Sequence, residues 1–231
     1  MAKTITSSLG EEIGRKLRPT QLGFGTPGGC EAAVHASRRF LASAEVDKKT
    51  LLKLDYRNAY NTLRRDVLLT VVKEEFPKLF PFIWQLYSSP SSLMFGDVIL
   101  QSATGVQQGD FLGPALFSLS LLSLTKSLSS PLNIWYLDDG TIGGSADDVF
   151  NDFVTIITSS STLGLELNIS KCELYIPEPD LPTSEHIRAK FFQWHHHCKF
   201  WKSKTPVSWV LSLPTKPCNP SSLPKLMHFV D

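Results

Sequence analysis

Two adjacent aspartates follow a short apolar segment, and this pair constrains the fold of the chain more than any other feature. The segment Leu132–Tyr136 has the composition of a strand, and Asp138 and Asp139 come just after it within Leu-Asp-Asp-Gly. Neighbouring carboxylates repel each other, so a core position is costly unless a cation compensates their charge. The pair therefore predicts the tip of a hairpin. Taken alone, Asp-Asp-Gly is also ordinary turn chemistry.

A third carboxylate, Asp55, ends the apolar run within Thr50–Tyr56, which the pattern predicts as a buried strand. Mg²⁺ in proteins is commonly bound by one or two carboxylates together with substrate phosphates. Two such ions about 4 Å apart can activate an attacking hydroxyl and stabilise the departing pyrophosphate of an in-line displacement. If the fold brings Asp55 to Asp138, the three carboxylates suit this chemistry.

Helical periodicity fills much of the chain between these strands. A glycine-rich loop at Gln21–Gly29 precedes a predicted helix at Cys30–Leu41. A second helix is predicted from Asn58 up to Pro77, and a third over Leu79–Tyr87.

The second half of the chain continues the alternation. A hairpin is predicted around Phe95–Asp97, and Pro114 is placed to begin the next helix. Ser145 and Asp148 form a capping-box pattern for a further helix, which Gly164 ends. A last pair of strands is predicted within Leu165–Ile176. This order favours an α+β fold, an antiparallel sheet with helices packed on one face.

The two ends of the chain lack such patterning. Residues 1–20 form a predicted N-terminal segment, polar and weakly patterned, before a domain at 21–176. Residues 177–231 contain eight of the 15 prolines, which predicts an irregular tail. From His186 onward there are seven Lys or Arg and one Asp, against 16 basic and 21 acidic residues before it. The overall net charge of +1 by itself indicates no nucleic-acid partner.

The cysteine spacing and the hydropathy of the sequence indicate the cellular compartment of the protein. The four cysteines form no closely spaced pair, and no apolar stretch at the N-terminus indicates a secretory signal. No uninterrupted apolar run approaches the length of a membrane span. An intracellular protein is predicted, in the nucleus or the cytoplasm. His195–Cys198 with Cys218 suggests zinc, but consecutive histidines do not easily share one tetrahedral site, so a polar tail is the simpler interpretation.

Four motifs resemble those of reverse transcriptases, most closely the enzymes of non-long-terminal-repeat retrotransposons. In chain order they are Leu54–Asn61 (LDYRNAYN), Gln108–Pro114 (QGDFLGP), Tyr136–Asp139 (YLDD) and Leu163–Lys171 (LGLELNISK). The stretch Gln21–Ala33 also resembles the segment that precedes the first carboxylate in these elements. Several motifs in the right order are far more specific than any one of them. The resemblance implies the palm of an RNA-directed DNA polymerase.

The resemblance also assigns roles to individual residues. It implies that Asp55 and Asp138 are the principal ligands of two Mg²⁺ ions, or of Mn²⁺ in their place, with Asp139 assisting. It places Tyr60 under the sugar of the incoming nucleotide, where a bulky ring collides with a 2′-hydroxyl. Outside the motif, Tyr60 is equally an aromatic residue of the core.

The remaining assigned residues would contact the other substrates. Gln108 and Gly109 would shape the floor against the nascent base pair, since glycine permits close approach of the backbone. Lys171 would neutralise or protonate the pyrophosphate, or is simply a surface lysine. The implied partners are an RNA template, a DNA primer and deoxynucleoside triphosphates, with no membrane.

Relatives of this kind also carry fingers upstream and a helical thumb downstream, and neither has a counterpart in the sequence. We therefore expect a fragment truncated at both ends. One hypothesis is an RNA-directed DNA polymerase, favoured by the intact carboxylates. The other is an inactive retroelement remnant that serves as a nucleic-acid-binding or interaction module, favoured by the missing flanks. A metal-dependent nuclease would also use three acids, but gives no reason for Tyr60 or the Gln108–Gly109 motif.

Overall fold

The computed structural model describes residues 2–43, 49–176, 187, 189–191 and 199–201. The strands are β1 (Thr50–Leu54), β2 (Ser91–Phe95), β3 (Val98–Ser102), β4 (Leu132–Tyr136), β5 (Asp139–Gly144), β6 (Glu173–Tyr175) and β7 (Lys199–Trp201). The helices are α1 (Ala2–Leu17), α2 (Gly29–Ala42), α3 (Ala59–Thr62), α4 (Arg65–Glu75), α5 (Phe80–Tyr87), α6 (Gly113–Ser120), α7 (Leu122–Ser127) and α8 (Ala146–Thr162). A short 3₁₀ helix spans Ile169–Lys171.

The main sheet has five strands in the order β4-β5-β1-β6-β7, and β2 and β3 form a separate hairpin. Strand β1 lies in the middle and pairs antiparallel with β5 and β6, while β6 and β7 run parallel. The register places Leu54 opposite Gly140. The end of β1 therefore lies beside the turn between β4 and β5. The α+β prediction is confirmed, because helices pack against a sheet whose strands are largely antiparallel.

The sheet is apolar on both faces. Leu52, Leu54 and Trp135 belong to the main core together with residues of α4, α6 and α8. Leu51, which precedes Leu52 in β1, points to the opposite face because side chains alternate along a strand. There it joins a smaller cluster with Leu132, which α2 covers. The main helical layer thus packs on one face as expected, and α2 adds cover on the other face beside β4.

The N-terminal segment differs from its prediction. Residues expected to be weakly patterned form α1, and Ile13 and Leu17 are fully buried in the main core. Gly14 lies so close to the loop that a Cβ there would be 2.8 Å from the carbonyl oxygen of Gly25. The helix packs partly through glycine, and this contact leaves no trace in a hydrophobic pattern.

Two further element predictions were wrong in detail. The helix expected from Asn58 to Pro77 is divided into α3 and α4, because the Leu63 carbonyl accepts the Gly105 amide and the Arg64 amide donates to Leu163. The strand pair expected within Leu165–Ile176 is a single strand, β6, which pairs with β1. Ahead of β6, Leu167 makes only an isolated bridge with Tyr56.

Several local predictions are confirmed. Helices α2 and α5 and the hairpin of β2 and β3 lie where the pattern placed them. The Ser145 hydroxyl caps α8 by accepting the Asp148 amide at 3.2 Å. Gly164 follows that helix with φ 78°, a left-handed conformation that glycine adopts at little cost.

Part of the predicted irregular tail belongs to the fold. Phe191 is buried against Phe150 and Phe153 of α8, and Lys199–Trp201 is the parallel edge strand. The zinc hypothesis on His195–Cys198 and Cys218 lies outside the described residues. Among the helices described, none is both long and apolar enough to cross a membrane.

Candidate active site

Asp55 lies directly after β1, at the end of the sheet where the β4–β5 turn is found. Its carbonyl oxygen accepts the Asn168 amide at 2.8 Å, which fixes the backbone of this residue. Its carboxylate lies 3.8 Å from the Lys171 ammonium. The oxygen that faces Lys171, Oδ1, is buried and accepts no hydrogen bond from the residues that the structure describes. A buried carboxylate oxygen in this state is a ready ligand for a cation.

The second and third carboxylates are placed by a tight hairpin. Tyr136 pairs with Asp139, so Leu137 and Asp138 form a two-residue turn between β4 and β5. Leu137 has φ 58°, in the left-handed region that a leucine rarely adopts. Two-residue hairpin turns require a positive φ at their first central position, and glycine or asparagine usually supplies it. A leucine in this conformation is strained and must be held by its surroundings.

The turn is held by the upstream glycine-rich loop. The Gln21 side chain donates to the Leu137 carbonyl at 3.0 Å and accepts the Leu137 amide at 2.8 Å. On either side of Gln21, the Trp135 amide donates to Thr20 and the Leu22 amide donates to Trp135. Gly23 lies against the same turn, since a Cβ there would be 2.6 Å from the Leu137 nitrogen. The sequence motif included Gln21 but assigned it no role.

The carboxylates of the turn influence one another. Burial raises the pKa of Asp138 above its usual range, and the negative charge of Asp55 raises it further. Burial also raises the pKa of Asp139 to about 6, with added repulsion from Asp138 and then from Asp55. Lys53 and Lys171 act in the opposite direction on Asp139. The fold therefore gathers negative charge at a half-buried place, which a bound cation would stabilise.

The residues present fit a metal that completes its coordination from substrate. Within the described ranges, no group of three His, Cys, Asp or Glu side chains is arranged to hold a metal ion. Mg²⁺ usually keeps several waters and takes only one or two protein carboxylates, with substrate phosphates as further ligands. Asp55 and Asp138 are suited to be those carboxylates, because they lie close enough to interact electrostatically.

Tyr60 lies on α3, beside this group. Its ring stacks on Phe117 of α6 with the centroids 4.5 Å apart. Its hydroxyl is buried and has no hydrogen-bond partner within the described part of the chain. Burial raises the pKa of the hydroxyl far above its usual range, and the nearby Asp138 and Tyr136 add to the effect. Tyr60 is therefore a neutral aromatic residue at the border between the core and the carboxylates.

The loop before α6 carries Gln108 and Gly109. Both are exposed, and Gly109 has φ 86°. Their neighbours anchor the loop: Asp110 accepts the Tyr87 hydroxyl at 2.6 Å, and the Gln107 side chain donates to Ser91 at 2.7 Å. The structure thus presents Gln108 and Gly109 on a fixed loop, whereas Asp55, Asp138, Asp139, Tyr60 and Lys171 form one group.

Sequence reasoning missed Arg65, which forms hydrogen bonds to the segment that leads into this loop. Its buried guanidinium donates to the carbonyls of Gly105 and Ser102 at 2.9 and 2.7 Å. The Val106 amide donates to the Tyr60 carbonyl, so the same segment is joined to α3. A positively charged residue in a helix of ordinary amphipathic pattern gave no signal for this role.

Comparisons with known proteins agree with the geometry. The family described as "Reverse transcriptase (RNA-dependent DNA polymerase)" matches residues 1–209. The chain is 29% identical over 168 residues to the "Retrotransposable element SLACS 132 kDa protein" of Trypanosoma brucei gambiense. That match covers 65% of this chain and 13% of the relative, so the chain spans a small part of that protein's length.

Solved telomerase structures share the fold. A telomerase of Candida albicans, in complex with a fragment of telomeric RNA, superposes with a TM-score of 0.56 at 14% identity, covering 78% of this chain and 37% of that one. An apo telomerase of Candida tropicalis gives a TM-score of 0.53 at 13% identity, covering 78% and 36%. The match of the family over most of the chain, with the ordered motifs, shows that this chain belongs to the reverse transcriptase family.

Proposed function

We propose that this chain is the palm of an RNA-directed DNA polymerase of retrotransposon origin, which transfers a deoxynucleotide onto the 3′-hydroxyl of a primer. The observation that carries the proposal is the meeting of Asp55 with the Asp138–Asp139 turn at one end of the sheet. The two parts are distant in sequence, and each is strained or incompletely paired where it stands. Strain and unpaired polar atoms of this kind concentrate at functional sites.

In this proposal Asp55 and Asp138 hold two Mg²⁺ ions, with Asp139 assisting. Bound there, the ions would supply charge stabilisation to the attacking hydroxyl and the departing pyrophosphate. The chain's own residues position the reactants. Lys171, with its side chain 64% exposed, is free to reach an anionic leaving group as well as Asp55. The fixed loop would present Gln108 and Gly109 to the nascent base pair.

Tyr60 supports a preference for deoxynucleotides. Its ring is held in place by Phe117, and its hydroxyl lies near Asp138. A rigid aromatic ring beside the metal ligands can reject a 2′-hydroxyl by steric repulsion, which is a common means of specificity.

A second candidate is an inactive remnant that serves as an interaction module. The hairpin of β2 and β3 favours it, because this hairpin exposes large apolar residues on a surface. Met94 is 82% exposed and Phe95 75%. Large exposed apolar patches often mark interaction sites. This candidate gives no reason for an Asp55 oxygen that is buried and accepts no hydrogen bond from the described residues.

The two candidates are separated by divalent metal binding. We expect the 231-residue chain to bind Mn²⁺, measured by electron paramagnetic resonance, and Asp138→Asn to weaken that binding at least about tenfold, since even the loss of a residue that supports a ligand has an effect of that size. Asp97→Asn, in the exposed turn of the β2–β3 hairpin, is the matched control and should leave binding unchanged. Equal Mn²⁺ affinity in the parent and in Asp138→Asn would rule out the proposed site. Primer extension on an RNA template, lost in Asp138→Asn, would then show activity.

A further inference from the structure

We propose that Gln21 is a positioning residue for the active site: its buried amide holds the Leu137 backbone and thereby fixes Asp138. The inference rests on the proposed function, because it gives Gln21 a role in placing a metal ligand. Gln21 is only 1% exposed and lies far from Leu137 in the sequence. Its side-chain amide bonds the backbone of Leu137 and Gly23, so its effect on Asp138 would pass through the turn.

The contact is a two-point clamp. Gln21 Nε2 donates to the Leu137 carbonyl at 3.0 Å, while Oε1 accepts the Leu137 amide at 2.8 Å. A single side chain therefore satisfies both backbone groups of one residue. Oε1 also accepts the Gly23 amide at 2.9 Å, which fixes the orientation of the glutamine amide. Two hydrogen bonds to the backbone of Leu137 restrict both the position and the rotation of that residue, whereas a single bond would still allow it to rotate.

The turn needs this support for two reasons. Leu137 is held at φ 58°, which a residue with a branched side chain adopts only when its surroundings compel it. The next two residues carry half-buried carboxylates that repel each other and Asp55. Without a restraint, strain and repulsion would both favour movement of Asp138 away from Asp55.

The clamp is itself well anchored. The backbone on both sides of Gln21 is bonded to Trp135 of β4, at 2.8 Å through Thr20 and 2.7 Å through Leu22. Gly23 then passes so close to Leu137 that any side chain at position 23 would collide with the turn. The loop therefore restricts movement of the turn in two ways, through the hydrogen bonds of Gln21 and through the close contact of Gly23.

The first test replaces Gln21 with methionine, which has a similar shape and no amide. Two properties of the full chain are measured. In Gln21→Met the Leu137 amide should exchange with deuterium faster, as seen by mass spectrometry of peptides spanning 135–139, because its acceptor is gone. Mn²⁺ affinity should fall about tenfold, the usual range when a residue that orients a metal ligand is lost.

Two further variants complete the design. Gln101→Met is the matched control, because Gln101 bonds Ser92 in the exposed hairpin far from the turn. It should change neither exchange at 135–139 nor Mn²⁺ affinity. Gly23→Ala leaves Gln21 in place but pushes on the Leu137 nitrogen, so it should also weaken Mn²⁺ binding. This variant keeps the idea testable if Gln21→Met does not fold.

The outcomes distinguish this inference from the proposed function. If Asp138→Asn weakens Mn²⁺ binding and a folded Gln21→Met does not, the positioning role is wrong and the metal site stands. If Asp138→Asn itself has no effect, the proposed function fails first. Weaker Mn²⁺ binding in Gln21→Met, with Gln101→Met equal to the parent, supports the positioning role, and Gly23→Ala decides in the same way if Gln21→Met does not fold. A loss of global stability without any change in Mn²⁺ affinity would show that Gln21 is only structural.

Discussion

At the scale of single residues, the protein gathers carboxylates of like charge at a half-buried place. Asp138 and Asp139 are half-buried, and the pKa values of both are raised mainly by burial. Lys171 and Lys53 offset only part of this repulsion. Such an arrangement opposes folding in the absence of a cation, which is a common property of sites built for ligands rather than for stability.

The first prediction concerns the pH dependence of stability in the metal-free protein. The pKa of Asp139 is raised from 3.8 to about 6. Between these values the folded state binds more protons than the unfolded state, so the free energy of unfolding should fall as pH rises from about 4 to about 6. Asp139→Asn removes this titration and should give a flatter profile. Urea midpoints between about pH 4 and pH 7 measure the difference.

Asp97→Asn, in the exposed β2–β3 turn, is the control for this measurement and should follow the parent. Parallel profiles for the parent and Asp139→Asn would contradict the raised pKa. Saturating Mg²⁺ should reduce the slope for the parent, because a bound cation favours the ionised carboxylate.

At the scale of elements, the motif loops are joined to the helices by hydrogen bonds between distant segments. Arg65 at the start of α4 reaches the base of the β2–β3 hairpin and Gly105. Asp110 and Tyr87 tie the next loop to α5. Together with the bond from the Val106 amide to the Tyr60 carbonyl, these bonds join α3, which carries Tyr60, to the loop that carries Gln108 and Gly109.

The second prediction concerns the hydrogen bonds of Arg65. Arg65→Met keeps most of the apolar stem and removes three hydrogen bonds, two of them to backbone carbonyls in a poorly solvated region. We expect the free energy of unfolding to fall by about 2 kcal/mol, since an unsatisfied buried acceptor has a cost of that order. Urea denaturation measures the change.

The neighbouring Arg64 supplies the control. It forms an exposed ion pair with Asp66, and such pairs contribute little. Arg64→Met should therefore change stability much less than Arg65→Met. Equal losses in the two variants would show that the Arg65 bonds are replaced by water.

At the scale of the whole molecule, charge is distributed unevenly between the residues before His186, here called the body, and the part of the tail from His186 onward. The chain before His186 contains 16 basic and 21 acidic residues, whereas the rest contains seven basic residues and one Asp. Nucleic-acid affinity depends largely on contacts between basic residues and phosphates, and it weakens with salt. The acidic body by itself should attract a primer–template weakly.

The third prediction follows from this distribution. Replacing four lysines of the tail with glutamine should weaken binding of an RNA–DNA primer–template and make its salt dependence shallower. The four are Lys202, Lys204, Lys216 and Lys225. Fluorescence anisotropy at several salt concentrations measures both effects. Lys78→Gln with Lys126→Gln, at exposed positions outside the tail, is the control, and an equal effect there would show that the tail has no special part.

Much of this protein could be predicted from its sequence. Local composition predicted the strands that precede Asp55 and Asp138, the hairpin at Phe95–Asp97 and the capping of α8, because turns, caps and apolar alternation depend on neighbouring residues. The ordered motifs also identified the family, which the comparison confirms.

Only the tertiary structure decided how these parts are joined. The clamp of Gln21 on Leu137 joins residues 116 positions apart, and Arg65 reaches 37 to 40 positions to its acceptors. The burial of α1 and the division of α3 from α4 have the same origin. Such hydrogen bonds and close glycine contacts depend on how segments meet in space, and neither periodicity nor motif spacing carries that information.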